Sequence, residues 1–344
     1  MEAVKGKFQA VKVLNVKQEA GDVKTFVLDI ALDYKAGQFL TVLSPDGKER
    51  RSYSFSTSPE TDEQAAITVK RIPNGLLSRH LADRVKTGDR LSISGPSGFF
   101  TVPENVHEFG QIVFLAAGIG ITPVISLVKT CLYSYPDVFV LLVYSNRSVK
   151  ETVFYEELQQ LLLKYPGRLA VEFLFSTAPD LLRARLNKQL LPELLGKYVK
   201  ARKEKTLFYM CGPFPYMRMV HLVLEEERIP AENIKKEHFS TSVITQKLEP
   251  PDKNAHIVRL NYRGDVLSFE SQYPDTILSA AKKQGINLPY SCENGICGSC
   301  SAICSDGKVW HRNNEVLTEA DLKKGMILTC TGYPVQGDIE LKIK

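Results

Sequence analysis

Four cysteines near the C-terminal end constrain this chain more than any other feature. Cys292, Cys297 and Cys300, in the run 289–304, have the spacing C-x4-C-x2-C, and Cys330 follows with twenty-nine residues between. That is the plant-type ligand pattern of a [2Fe-2S] cluster. Thiolates suit an electron-rich iron–sulfide core, and a loop wrapped round it needs residues that take positive φ so that amide N–H groups can face sulfur. Gly295 and Gly298 supply that freedom. The competing readings are a structural zinc site and ordinary buried cysteines. Zinc sites usually use two separated pairs or add histidine, whereas here three cysteines share one loop with no histidine close by. Rieske ligation fails for the same reason. Cys304, just past the loop, is expected to be a small buried residue rather than a fifth ligand.

A chain of 344 residues is too long for one ordinary domain, and two to three are expected. Seven cysteines, four of them clustered, argue against a disulfide framework and for a reducing compartment, so a cytoplasmic protein is expected. Residues 1–7 lack the apolar core of a secretory signal. The longest apolar run, 112–128, is interrupted by Gly118, Gly120, Thr122, Pro123 and Ser126, which suits a buried strand-turn-helix better than a membrane span. The net charge of +5 is uneven: residues 257–344 hold ten basic and ten acidic residues, so the excess lies in 1–256. No basic run or aromatic–basic interleaving points to nucleic acid. A mild positive face for an anionic cofactor or acidic partner is expected instead.

Residues 1–104 show six short alternating stretches, 8–16, 25–30, 38–43, 51–56, 67–72 and 90–94, separated by turn residues such as Asp46-Gly47 and Gly88-Asp89. This punctuation predicts an antiparallel β-barrel, with one helix near 78–85. Within it, Arg51, Ser52, Tyr53 and Ser54 set a cation, an aromatic and hydroxyls on one strand. A flavin with a phosphate tail wants that combination: a plane to stack on, a guanidinium for phosphate and a hydroxyl near the redox nitrogen. A half-exposed barrel strand would look the same. The stretch from Val69 and Lys70 through Gly75, Leu76 and Leu77 to Ser78 predicts a strand, a glycine turn and a helix start whose N–H groups hold a pyrophosphate, though Ser78 could be only an N-cap.

Residues 105–244 change to strand–helix alternation, which predicts a parallel α/β sheet with a nucleotide site at the strand C-terminal ends. Gly118, Gly120, Thr122 and Pro123 stand at the first such end. Pro123 replaces the third glycine of a full dinucleotide fingerprint, but proline suits a first helical turn, so the two glycines would admit a diphosphate to the helix N-terminus. The second strand ends in Ser145, Asn146 and Arg147 with no acid at its tip. An acid there favours NADH, whereas arginine can take a 2′-phosphate; the expectation is NADPH, with NADH left open. The fourth strand ends in Cys211, Gly212 and Pro213, and Cys211 would face the same crevice or be a buried small residue.

Residues 245–255, polar and carrying a proline pair, read as a semi-rigid linker. From 256 to 344 a hairpin (257–262 and 266–269, turning at Arg263), a helix at 276–284 capped by Asp275 and stopped by Gly285, a capping box from Thr318 to Asp321 and a strand delivering Cys330 predict a β-grasp domain.

Taken together, the three segments resemble the ferredoxin–NADP⁺ reductase superfamily with a fused C-terminal plant-type ferredoxin, over nearly the whole chain. The domain order is that of oxygenase reductases, with most likeness to those of the phenylacetyl-CoA epoxidase type. The resemblance implies a multidomain fold of flavin barrel, nucleotide domain and ferredoxin domain, binding FAD, NADPH or NADH, and a [2Fe-2S] cluster on Cys292, Cys297, Cys300 and Cys330. It assigns Arg51, Tyr53 and Ser54 to the flavin motif R-x-Y-S, Gly75 and Ser78 to the pyrophosphate turn, and Gly118, Gly120, Thr122 and Pro123 to G-x-G-x-T-P. It puts Cys211, with Gly212 and Pro213, near the reacting nicotinamide, and Phe239 near the flavin. Leu76 departs from the pattern, since relatives often carry a second glycine there. The implied activity is hydride transfer to FAD and single-electron delivery to an acceptor protein, a di-iron oxygenase component or else another oxygenase, hydroxylase or desaturase, with no nucleic acid partner and no membrane span. The electron-transfer subunit of a dihydroorotate dehydrogenase has a shorter final cysteine spacing. A redox sensor or cluster-assembly scaffold would not need cofactor motifs in both upstream domains.

Overall fold

The computed structural model describes residues 8–239, 248–262 and 264–343. The start of the expected linker (245–247), Arg263 and residues 1–7 lie outside the described residues. Strands β1 (Gln9–Gln18), β2 (Val23–Leu28), β3 (Phe39–Leu43), β4 (Arg50–Ser54), β5 (Ala66–Lys70) and β6 (Arg90–Ser97) form one antiparallel sheet in the order β4-β3-β6-β1-β2-β5. Alternate side chains such as Val11 and Val13, Phe26 and Leu28, or Leu40 and Val42 point into a common core. A bridge between Phe55 and Ile67 draws the two edge strands together, so the sheet curls into a barrel. Helix α1 (Leu76–Arg84) adds Leu77 and Leu81 to that core.

The second sheet is parallel, in the order β11-β10-β7-β8-β9, from β7 (Gln111–Ala117), β8 (Phe139–Asn146), β9 (Leu169–Phe175), β10 (Thr206–Cys211) and β11 (Ile234–Glu237). Its central strand, β7, is apolar from Ile112 to Ala117 because both faces are covered. Ile112, Phe114 and Ala116 pack with helices α2 (Ile121–Ser134) and α3 (Tyr155–Lys164). Val113 and Leu115 face the other way. After a short α4 (Leu181–Ala184), helices α5 (Leu190–Tyr198) and α6 (Phe214–Glu226) cover that second face. Helix α5 was not expected from sequence. Pro192 sits in its first turn, where a missing N–H costs nothing but reads as a breaker.

The third sheet, β13-β12-β16-β14-β15, contains β12 (His256–Tyr262), β13 (Asp265–Ser271), β14 (Ser301–His311), β15 (Met326–Leu328) and β16 (Gly332–Ile343). Strands β12 and β16 run parallel and the other pairs antiparallel. Helix α7 (Ile277–Lys283) lies across it through Ile277, Ala280 and Ala281, which gives the β-grasp arrangement. The expected cap needs correction: Thr276, not Asp275, is the N-cap, its hydroxyl accepting from the Ser279 N–H, while Asp275 pairs with Lys283. Helix α8 (Glu319–Lys323) has the expected capping box on Thr318 and Asp321. The long β14 and β16 escaped prediction because bulges around Cys304, Asp306 and Lys308 break the period of two. Cys304 is half-buried there, its thiol donating to the Asp306 carbonyl at 3.1 Å.

The barrel and the parallel sheet are joined along α2. The Lys129 ammonium, almost fully buried, pairs with Asp62 at 2.9 Å and Glu157 at 3.0 Å. Beside it Thr130 donates to Glu60 at 2.6 Å and Ser126 to the Thr57 carbonyl at 2.6 Å. Because α2 also begins at the glycine turn, this latch fixes the turn against the barrel. Lys129→Met removes the cation from two part-buried carboxylates and is expected to destabilise the two-domain unit by roughly 1–3 kcal/mol. An earlier first unfolding transition in urea would show it.

Candidate active site between three domains

One cavity touches all three sheets. Its wall includes Arg51, Ser52 and Ser54 from β4, Phe39 from β3, Glu237, His238 and Phe239 at the end of β11, and Ser291, Cys292 and Cys297 from the cysteine loop. Strand alternation divides the β4 set. Tyr53 pairs with Leu40 and packs against the barrel core, while Ser52 and Ser54 pair with Thr41 and Phe39. The Arg51 guanidinium bonds Glu49 at 2.8 Å and is largely exposed. Ser54 is buried, and its hydroxyl donates to the Glu237 carboxylate at 3.3 Å.

Glu237 is the residue that sequence reading missed. It pairs in register with Cys211 on the neighbouring strand, so the two stand side by side at the sheet's C-terminal edge. The residue is half-buried by surface, but protein crowds its carboxyl, and that desolvation pushes its pKa up to about 8 against the lowering effect of the Ser54 hydrogen bond. Desolvation also pushes the Cys211 thiol well up, with Glu237 adding to it. The available signal was an acid at the tip of the last parallel strand, where such sheets place their ligands. Phe239 is 42% exposed and lines the same cavity.

A second cavity of about 770 Å³ runs between barrel and parallel sheet, large enough for a dinucleotide. Gly118, Ser145, Arg147 and Pro213 line it, together with Lys70 and residues 20–23 of the barrel and the unforeseen Arg185 and Tyr216. Gly118 takes φ +54° in open space. Gly120 is needed for clearance: a Cβ there would lie 2.3 Å from the Cys211 carbonyl oxygen and 2.9 Å from the Gly212 nitrogen. Thr122 donates to the Ile119 carbonyl at 3.1 Å, and Pro123 is buried in the first turn of α2. Arg147 reaches Glu151 at 3.7 Å and stays mostly exposed. On the barrel, Val69 and Leu77 are core residues, Leu76 is exposed, and Gly75 occupies the N-cap of α1. Ser78 does not cap the helix; its hydroxyl accepts from the Ile72 N–H at 3.2 Å and donates to the Gly75 carbonyl at 3.3 Å, tying the turn.

The three loop cysteines and Cys330 meet. The Cys292 sulfur contacts Cys297 and Cys330, and Cys300 contacts Cys330. Those contacts, with the N–H groups of Asn294 and Ile296, pull Cys292 toward the thiolate. The Asn294 N–H lies 3.4 Å from its sulfur. Sulfurs brought together with amides turned to them suit a two-iron core. Gly295 and Gly298 have φ of +73° and +72°, and a Cβ on Gly295 would sit 2.5 Å from the Asn313 carbonyl oxygen.

A barrel strand and a cysteine loop that share one cavity, with a dinucleotide-sized cleft beside them between barrel and parallel sheet, define an iron–sulfur flavoprotein oxidoreductase. The sequence matches the oxidoreductase FAD-binding domain over residues 10–102, the oxidoreductase NAD-binding domain over 114–222 and the 2Fe-2S iron-sulfur cluster binding domain over 261–335. It is 33% identical to the ferredoxin reductase component of 3-ketosteroid-9-alpha-monooxygenase from Rhodococcus rhodochrous, covering 95% of this chain and 94% of that one. It is 30% identical to a subunit of 1,2-phenylacetyl-CoA epoxidase from Escherichia coli K12, covering 96% of each. Phthalate dioxygenase reductase has the same fold, with a TM-score of 0.61 at 24% identity over 98% of both chains. The chain belongs to the ferredoxin reductase components of oxygenases, NAD(P)H-dependent flavoproteins that pass electrons through a [2Fe-2S] centre. No helix among the described residues is long and apolar enough to cross a membrane.

The raised pKa of Glu237 fixes a pH dependence. A carboxyl near 4.5 when unfolded and near 8 when folded holds its proton more tightly in the native state, so its contribution is fully present below pH 4.5 and is lost as pH rises to 8. Glu237→Gln should flatten the fall in urea stability between pH 5 and 8 relative to the parent chain.

Proposed function

We propose that this chain oxidises NADPH at FAD and delivers single electrons to a di-iron oxygenase component in the cytoplasm. The observation that carries the reading is the shared cavity, where Ser54, Glu237 and Cys292 stand within one enclosure. When bound, FAD accepts a hydride and releases electrons one at a time, and the [2Fe-2S] cluster carries one. The protein's work is alignment, exclusion of water and control of protons.

Ser54 and the protonated Glu237 form a hydrogen-bonded pair that holds a proton at the carboxyl, beside the thiol of Cys211. Tyr53 offers an aromatic plane, Phe239 covers the cavity at the domain edge, and Arg51 with Ser52 fills the wall. Val69, Lys70, Gly75, Leu76, Leu77 and Ser78 shape the pyrophosphate turn. Gly118 and Gly120 clear the approach of a diphosphate to the start of α2, where Thr122 and Pro123 set the first turn, and Gly212 and Pro213 hold the opposite wall. Ser145 and Arg147 favour a 2′-phosphate. Cys292, Cys297, Cys300 and Cys330 are the cluster ligands. The oxygenase partner is inferred from the relatives' roles, and the di-iron type from the likeness to the epoxidase reductases. The limits proposed are 1–104 for the FAD domain, 105–244 for the nucleotide domain, 245–255 for the linker and 256–344 for the ferredoxin domain.

Cys297→Ser should lower iron and acid-labile sulfide and abolish cytochrome c reduction, while NADPH-driven ferricyanide reduction, which needs only the flavin, continues. A folded, cofactor-loaded parent chain with no turnover at either acceptor would favour a sensor instead. Arg147→Ala should raise KM for NADPH by roughly ten- to a hundred-fold, the loss of one charge-assisted hydrogen bond, with KM for NADH unchanged. An unaltered NADPH to NADH ratio would reject the preference.

A further inference from the structure

The sequence puts no acid at the tip of β8, but the fold brings one there. After Arg147 the chain makes a tight 3₁₀ turn, Val149–Glu151, and this returns Glu151 to the wall of the dinucleotide-sized cleft. The turn is pinned. The Glu151 N–H donates to the Ser148 carbonyl at 3.1 Å, the Thr152 hydroxyl donates to the same carbonyl at 2.8 Å, and Thr152 and Val153 are buried. The Arg147 backbone is fixed as well, its carbonyl accepting from the Thr177 N–H at 3.1 Å and from the Thr177 hydroxyl at 2.8 Å. Two firm anchors therefore present two exposed charges.

Those charges meet without locking. Arg147 Nε stands 3.7 Å from a Glu151 carboxylate oxygen, longer than a hydrogen bond, with 72% and 49% of the two side chains exposed. Such a pair adds little stability and opens to a better partner. Its effect is on the charge of the wall. The barrel side of the cleft offers one charge of each sign, Lys70 and Asp22; on the nucleotide domain Glu151 cancels one of two arginines, Arg147 and Arg185. A 2′-phosphate bonded to the Arg147 guanidinium comes within roughly 7 Å of the Glu151 carboxylate, where repulsion survives physiological salt. A ribose with a free 2′-hydroxyl has the opposite need, because a carboxylate is the acceptor that a diol wants.

We propose that Glu151 is a specificity-determining residue: its carboxylate accepts the ribose diol of NADH and opposes the 2′-phosphate of NADPH at Arg147, so the cleft takes both nucleotides and Glu151 sets their ratio. The preference for NADPH is the margin that Arg147 keeps over this opposition. This rests on the reading of Arg147 as the 2′-phosphate contact.

The test removes the charge and keeps the shape. Glu151→Gln should lower KM for NADPH and raise KM for NADH, by about three- to ten-fold each. Two competitive inhibitors that do not turn over should follow the same split, 2′,5′-ADP binding more tightly and 5′-AMP more weakly. Glu151→Asp keeps the charge and should retain most of the parent ratio. FAD and iron contents equal to the parent's show that each variant is folded. A merely structural role would move both nucleotides in one direction, so parallel changes in the two KM values overturn the proposal, as does an unmoved ratio. In the Arg147→Ala background the gain for NADPH should shrink while the loss for NADH persists; a gain of full size there overturns the opposition at Arg147. An Arg147→Ala chain with the parent's KM for NADPH would instead sink the 2′-phosphate reading, and the response of NADH to Glu151→Gln would still decide the diol contact.

Discussion

Strand β11 is four residues long, yet the alternation of its side chains ties the three domains together. Lys236 and His238 both turn to Glu315 of the ferredoxin domain, at 3.0 and 3.9 Å. Glu237, between them, turns to Ser54 of the barrel at 3.3 Å. Its backbone meanwhile continues the parallel ladder beside Cys211. A one-residue slip would exchange these directions, sending the carboxylate to the ferredoxin domain and two bases toward the flavin strand. Parallel pairing to β10 over Phe208–Cys211 holds the register.

The two joints of the molecule differ in kind. Between barrel and nucleotide sheet, the cation of Lys129 is buried with partners on both sides, Tyr209 donates to the Thr101 carbonyl, and α2 leans its hydroxyl residues on the 57–62 loop. Breaking it would strand charge away from water, which is expensive. Between the ferredoxin domain and the other two the contacts are a guanidinium and a hydroxyl pair from the barrel and a rim ion pair from the nucleotide domain, which water can replace. Hydride transfer needs angular accuracy from the first joint. An electron tolerates looser geometry, and the second joint is built accordingly.

What the sequence disclosed follows from how local each signal is. The cysteine loop, six barrel strands and the glycine turn are written in neighbouring residues, so spacing and periodicity were enough. The Thr276 cap was misread by one position because Asp275 beside it is equally competent chemically; only the backbone chooses. Partnerships across the domains left no such trace. Ser52 and Ser291 are 239 residues apart, and Ser54 and Glu237 are 183 apart. Nothing in either stretch alone announces the other. Glu237 itself was in view, two residues before Phe239, but its crowding by protein is a property of assembled sheets.

The contact of Phe99 with Gly298 sets a limit on how this architecture can be recombined. Glycine at that place serves two masters: it bends the cysteine loop, and its bare α-carbon makes room for a ring belonging to a different module. A chimaera that borrows its iron–sulfur module from a cousin must therefore bring along a matching residue at position 99, or the transplanted loop will stand off from its electron source.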